Sequence, residues 1–102
     1  MKIEWAEQAT RGWKEVAKYI KRDFGCQGLK LFKQRTKETE KFILNFPEGS
    51  EEVWKDPETN VSYRWCTIYG RSKMLYFVHE DVITIADFWD VRSNRASQGA
   101  KK

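Results

Sequence analysis

Apolar residues follow two different spacings along this chain, and each spacing predicts a different kind of element. Polar and apolar residues alternate over Lys2–Trp5, which is typical of a short strand. Over residues 6–24 the apolar residues recur at every third or fourth position and therefore share one face of a helix. That face consists of Ala9, Trp13, Val16, Ala17, Ile20 and Phe24. Basic residues occupy the opposite face, so the pattern predicts an amphipathic helix over 6–24.

A second helix is predicted over residues 29–46. The connector 25–28 interrupts the first pattern, and Gly25 is suited to ending a helix because glycine adopts positive φ without strain. The second apolar stripe has the same spacing, is widened by Phe42, and comprises Leu29, Phe32, Thr36, Thr39, Ile43 and Phe46. Pro47 ends the helix because proline has no N–H to continue its hydrogen bonds. Since the connector is short, the two helices are expected to form an antiparallel hairpin.

Beyond Pro47 the spacing of two returns and predicts four strands. Their expected ranges are 52–55, 61–69, 74–78 and 82–90. Strand 74–78 is almost entirely apolar, which indicates a place in the middle of a sheet with both faces covered. The predicted fold class is α+β, in which an N-terminal strand and an antiparallel α-hairpin pack on a mostly antiparallel sheet of four to five strands.

Length and composition set limits on the class of protein. The 102 residues, 40% of them hydrophobic and 15% aromatic, are enough for a single domain, expected over 1–92 and followed by a flexible basic tail over 93–102. No apolar run approaches the roughly 20 residues that span a membrane. The two cysteines, Cys26 and Cys66, have no partner at metal-ligand spacing. We therefore expect a cytoplasmic protein with no disulfide, metal or membrane segment.

Charge is distributed unevenly along the chain. Residues 1–47 carry eleven Lys/Arg and six Asp/Glu, whereas residues 48–90 carry four and nine. The final twelve residues carry four basic residues and no acid. This distribution indicates a polyanionic partner, an acidic protein partner, or both. The basic helix face itself has two interpretations, a solvated surface or a polyanion contact.

Candidate chemistry is limited to a set of basic residues on or beside the predicted strands. The sequence contains no phosphate-binding loop, nucleophile elbow or helical metal pair. Its one histidine, His79, is interpreted as a solvated turn residue. The strand-associated cations are Lys55, Arg64, Arg71, Lys73 and Arg92. Arg64 interrupts an otherwise strand-like run, so its guanidinium must meet either an acidic side chain or an anionic ligand.

The order of these features resembles the RelE/ParE superfamily of bacterial toxins. The similarity begins with the strand Ile3–Trp5, which runs directly into a helix, and covers about residues 2 to 95. Its last part, Phe88–Asn94, resembles a subgroup in which the final strand ends in Phe-Trp-Asp-x-Arg-x-Asn. The intervening points of similarity are the helix ending Phe42–Pro47, the pair Tyr63-Arg64 and the strand Met74–Val78.

The resemblance implies the toxin of a type II toxin–antitoxin module, of the kind found in plasmid stabilisation, with a cognate antitoxin as partner. In RelE-like members the toxin enters the ribosome and cuts mRNA, with the ribose 2′-OH as the attacking group and no cofactor. The residues implied as catalytic are Arg64, Arg92 and Lys55, which would stabilise charge on the phosphate. Arg71 and Lys73 are implied as further nucleic-acid contacts.

Two alternatives to mRNA cleavage stay open. No tyrosine or histidine follows the last predicted strand, where nuclease members often place one. ParE-like members also lack such a group; they inhibit DNA gyrase without catalysis, and the basic hairpin would suit such a contact. A third alternative is a degenerate, non-toxic relative that only binds its partner or DNA.

Overall fold

A five-stranded sheet and a helical hairpin make up most of the chain. The computed structural model describes residues 1–91. Its elements are β1 (Lys2–Trp5), α1 (Glu7–Asn45), β2 (Glu51–Lys55), β3 (Ser62–Thr67), β4 (Ser72–His79) and β5 (Val82–Asp90). Arg92 and the predicted tail over 93–102 lie outside the described residues.

α1 is a hairpin because it breaks at Gly25, whose φ of 74° and ψ of −168° are not helical. Its two arms, residues 7–24 and 26–45, fold back so that the rings of Trp13 and Phe32 stack at 5.2 Å. A straight helix of 39 residues would be about 58 Å long, whereas the longest dimension of the structure is 42 Å. The predicted antiparallel hairpin is confirmed. The predicted connector was too long, because residues 26–28 are already helical and one glycine suffices for the reversal.

The strand order in the sheet is β1-β5-β4-β3-β2. β1 runs parallel to β5, with Ile3 opposite Ile83, and the other neighbouring pairs are antiparallel. The predicted α+β class and mostly antiparallel sheet are therefore confirmed. β1 and β5 have the predicted bounds, whereas β4 is longer than predicted at both ends and β3 is shorter.

The core lies between the hairpin and one side of the sheet, which we call the helix-facing side. Phe32 and Phe88 are completely buried there, with ring centroids 5.7 Å apart. Trp13 stacks on Phe32 from the first arm, and Trp5 stacks on Phe88 from β1. Two indole N–H groups are also satisfied, since Trp13 donates to Thr36 Oγ1 at 3.0 Å and Trp5 to Glu40 at 2.8 Å. This aromatic chain fixes the hairpin on β5.

We call the side of the sheet away from the hairpin the open face. Along β4, Met74 and Tyr76 are fully buried on the helix-facing side, whereas Leu75 and Phe77 on the open face are half-buried. β4 is central in the sheet, as predicted. Its expected coverage on both faces is not what residues 1–91 show.

Candidate functional site

Arg64 lies on the helix-facing side of β3, opposite Tyr76. Its Nη1 donates to the backbone carbonyl of Ser50 at 2.7 Å and to that of Glu48 at 3.4 Å. Its Nη2 is 3.7 Å from a carboxylate oxygen of Glu52, and the side chain is 19% exposed. The sequence predicted an acidic partner or an anionic ligand for this guanidinium. The acidic partner is present, but the shorter bonds go to carbonyls of the segment that links α1 to β2.

Two polar side chains beneath that segment are held in their neutral forms. The Tyr76 hydroxyl donates to the carbonyl of Pro47 at 3.0 Å, and Ser50 Oγ lies 2.8 Å from Cys66 Sγ in a hydrogen bond. Burial raises the pKa of the Cys66 thiol, although the Ser50 hydrogen bond opposes the rise. Burial likewise raises the pKa of the Tyr76 phenol. Neither group is therefore a base or nucleophile near neutral pH.

The described candidate cations do not meet at one place. Lys55 lies opposite Ser62 and so shares the helix-facing side with Arg64. Lys73 lies on the open face, with its Nζ 4.0 Å from the centre of the Trp65 ring. Arg71 is exposed in the turn before β4, and Arg92 lies outside the described residues. Lys73 and Arg64 are thus separated by the thickness of the sheet.

The open face carries an array of aromatic side chains across four strands. Trp54, Tyr63 and Phe77 form one row, with successive ring centroids 5.4 and 4.9 Å apart. Trp65 and Trp89 form a second pair at 6.1 Å beside Lys73. Flat rings that are partly exposed, next to a cation, are suited to stacking contacts. The positions of these rings on one face depend on the strand registers, which residue types alone do not give.

A second apolar surface lies between the second arm of α1 and the β2–β3 side of the sheet. The rings of Phe42 and Phe46 are 5.6 Å apart and are 42% and 60% exposed. On one side Phe46 and Arg64 line a cleft of about 890 Å³, and on the other Phe42 and Arg35 line one of about 390 Å³. We call the two clefts and the phenylalanines between them the helix–sheet groove.

The groove corrects one prediction. Phe24, Phe42 and Phe46 belong to the apolar stripes that the spacing assigned to the buried helix faces, yet each is exposed. The hairpin packs mainly on β5, so the end of its second arm, which carries Phe42 and Phe46, extends over β3 and β2 without reaching them closely. Phe24 lies at the end of the first arm, beside the reversal at Gly25. The stripe is therefore longer than the surface beneath it.

Two features are absent from the part of the chain that the structure describes. No group of three or more His, Cys, Asp and Glu side chains within residues 1–91 could hold a metal ion. No helix in the same range is long and apolar enough to cross a membrane. His79 ends β4 with its side chain 57% exposed, 3.8 Å from Glu80, in agreement with its interpretation as a solvated residue.

Comparison with known proteins gives a match of fold and no match to a protein family or a curated protein. No protein-family model matches the chain, and no curated protein matches it. A solved structure described as the chromosomal ParDE TA system from P. aeruginosa contains a chain with the same fold, at a TM-score of 0.69 and 15% sequence identity. The match covers 88% of this chain and 95% of that one. At this identity the likeness concerns the fold, and it agrees with the fold implied by the RelE/ParE resemblance.

Proposed function

We propose that this protein is the toxin of a type II toxin–antitoxin module and is held inactive by a cognate antitoxin. The observation that carries the proposal is the fold, which matches over 88% of the chain a structure described as a ParDE TA system. The independent resemblance of Phe88–Asn94 to a RelE/ParE subgroup supports the same class. The test is inducible expression, which should arrest growth, with rescue by the product of the neighbouring gene.

The helix–sheet groove is the site proposed for the antitoxin. Exposed Phe42 and Phe46 are anchors of the kind that a helical or extended peptide covers. Arg35 lines one of the two clefts and would attract acidic residues of that peptide. Binding would therefore combine burial of two rings with salt-dependent charge contacts.

A pair of substitutions tests this site. Phe42→Ser with Phe46→Ser should weaken co-purification with the antitoxin by at least 100-fold while growth arrest persists, because the rings belong to the neutralising contact. The matched control is Phe24→Ser, an equally exposed phenylalanine at the other end of the hairpin. Equal loss of antitoxin binding in the control, or none in the double variant, would place the antitoxin elsewhere.

For the mode of growth inhibition, we propose a ParE-like action on DNA gyrase without catalysis. The support is the arrangement of the described sheet cations, in which Arg64 is committed to backbone carbonyls and Lys73 lies on the opposite face. Transition-state stabilisation of a phosphoryl group needs cations that converge on it. A gyrase inhibitor needs only a binding surface.

Ribosome-dependent mRNA cleavage is the second candidate, and one observation favours it. Lys73 lies over Trp65 on the open face, beside Trp89, where a base could stack and a phosphate could bind. In this mechanism the RNA contacts would come from Lys73, Arg71 and Arg92. Arg64 and Lys55 lie on the helix-facing side of the sheet, away from Lys73.

Mapping the damage in arrested cells distinguishes the two mechanisms. Gyrase inhibition should give DNA breaks linked covalently to gyrase and intact mRNA, whereas cleavage should give new mRNA ends at codons in the ribosome. Lys73→Ala combined with Arg92→Ala should leave a gyrase inhibitor toxic. Loss of toxicity in that variant, with folding intact, would favour the nuclease.

A further inference from the structure

The hairpin carries two rows of basic residues on the side away from the sheet, which we call the outer basic face. The members follow one another at three or four residues, so each row runs along one side of its arm. They are Arg11, Lys14, Lys18 and Lys21 on the first arm, and Lys30, Lys33, Lys37 and Lys41 on the second. All eight are exposed. The buried residues of α1, such as Val16 and Phe32, lie on the opposite side of each arm.

None of these eight side chains has a carboxylate within 4.0 Å in the described chain. Of the acids near the rows, Asp23 pairs with Arg22, Glu38 accepts from Gln34 and Glu40 accepts from Trp5. Glu7 and Glu15 are exposed, each four residues from Arg11, but neither forms an ion pair with a cation of the first row. Like charges at these spacings destabilise a helix by a few tenths of a kcal/mol per pair. A helix face that is merely solvated usually intersperses acids among its bases and avoids that cost. Eight exposed cations, none of them paired with a carboxylate of residues 1–91, therefore indicate an anionic ligand.

The dimensions of the outer basic face suit a regular array of phosphates. At 1.5 Å per residue, residues 11–21 extend about 15 Å, and packed helices lie about 8–10 Å apart. One strand of a duplex presents a phosphate every 3.4 Å along its axis, so a row would face roughly four of them. Seven of the eight cations are lysines, which contact phosphate as compact point charges and lack the rigid planar fork of arginine.

The residues between the cations argue against other anionic partners. On the outer basic face, no apolar side chain lies between the first and the last cation of either row. Helices that bind membrane surfaces, in contrast, insert apolar residues into the membrane. Specific protein interfaces likewise have an apolar or aromatic centre. We infer that the outer basic face binds the phosphate backbone of double-stranded nucleic acid without reading its sequence. This inference concerns the isolated chain and does not depend on the proposed toxin activity.

Fluorescence anisotropy with a labelled 20-base-pair DNA duplex, and with an RNA duplex of the same sequence, tests the inference. The full chain should bind both, with a slope of log K against log salt of about −7 for eight phosphate contacts, so that affinity falls roughly 10⁴-fold between 50 and 200 mM salt. Lys14→Gln with Lys18→Gln should reduce the slope by about 2, and Lys33→Gln with Lys37→Gln should do the same. All four residues are exposed, so the fold should be retained.

The matched control changes net charge equally at a distant position. Lys2→Glu lowers the charge by two, as each double variant does, but lies on β1, where Lys2 pairs with Glu4. Its slope should equal that of the unmodified chain. An unchanged slope in both double variants, or an equal reduction in the control, would overturn the inference. If polyglutamate bound as tightly as either duplex, the inference would be overturned in favour of an acidic protein partner. If only one of the two duplexes bound, recognition of a phosphate backbone shared by DNA and RNA would be overturned.

Discussion

Replacement of Gly25 by alanine isolates the energetic cost of the reversal between the two arms of α1. The backbone there has φ 74° and ψ −168°, and a Cβ added at this position would meet no atom within 4 Å. Steric crowding therefore makes no contribution. A side chain in this region costs about 1–3 kcal/mol, since it is populated almost only by glycine. Alanine also restricts the unfolded chain, which offsets about 0.4–1 kcal/mol.

The expected net loss of stability for Gly25→Ala is therefore about 1–2 kcal/mol. This corresponds to a fall in Tm of roughly 5–15 °C for a domain of this size. Urea unfolding followed by circular dichroism measures the loss, and an unchanged m-value would show that the native state is the same. Gly70→Ala is the matched control, because Gly70 has φ 58° and equally open space, but lies in a turn outside the hairpin.

Two results would refute this reasoning. Equal stability of Gly25→Ala and the unmodified chain would mean that the position tolerates a side chain and that the reversal stores no strain. A lower m-value together with a dimer in solution would mean that α1 straightens to relieve the strain and exchanges an arm with a second copy. The hairpin contacts, such as Trp13 on Phe32, would then be weaker than the backbone preference.

Three further predictions concern single side chains. Arg64→Ala should lower the free energy of unfolding by about 1–3 kcal/mol, because it leaves the carbonyls of Ser50 and Glu48 without their donor. A loss of stability no larger than that caused by Lys73→Ala would contradict this role. Thr36→Val should cost about 1–3 kcal/mol by removing the acceptor of the Trp13 N–H, and Thr36→Ser should restore most of it in the same urea titration. Because burial raises the pKa of Cys66 while Cys26 is exposed, a thiol reagent at pH 8 should modify Cys26 first; Cys26→Ser should leave only a slow phase that accelerates at higher pH, and a single fast phase in that variant would disprove it.

The elements were predictable because each depends on local spacing. The alternation at β1 and β5 set their bounds correctly, and Gly25 marked the reversal because few residues adopt its backbone conformation. Their arrangement was predictable as a class, since a hairpin with one apolar side must bury that side against a sheet.

The environment of Arg64 could not be predicted from residue types. Its closest acceptors are backbone carbonyls, which every residue possesses and which therefore leave no signal in a sequence. The exposure of Phe42 and Phe46 was missed for a related reason. Periodicity tells which side of a helix is apolar, but how far the sheet extends beneath it depends on the tertiary packing.

Because β1 pairs with β5, the strand that is synthesised first is among the last to be paired. The first strand made finds its partner only when residues 82–85 exist, and the hairpin then gains the surface on which it chiefly packs. Joining segments about 80 residues apart carries a substantial loop-closure entropy, so this step forms late. A chain still being translated has the sequence of both helical arms but lacks β5, the strand on which they pack. The protein therefore reaches its folded form only after nearly every described residue has been made.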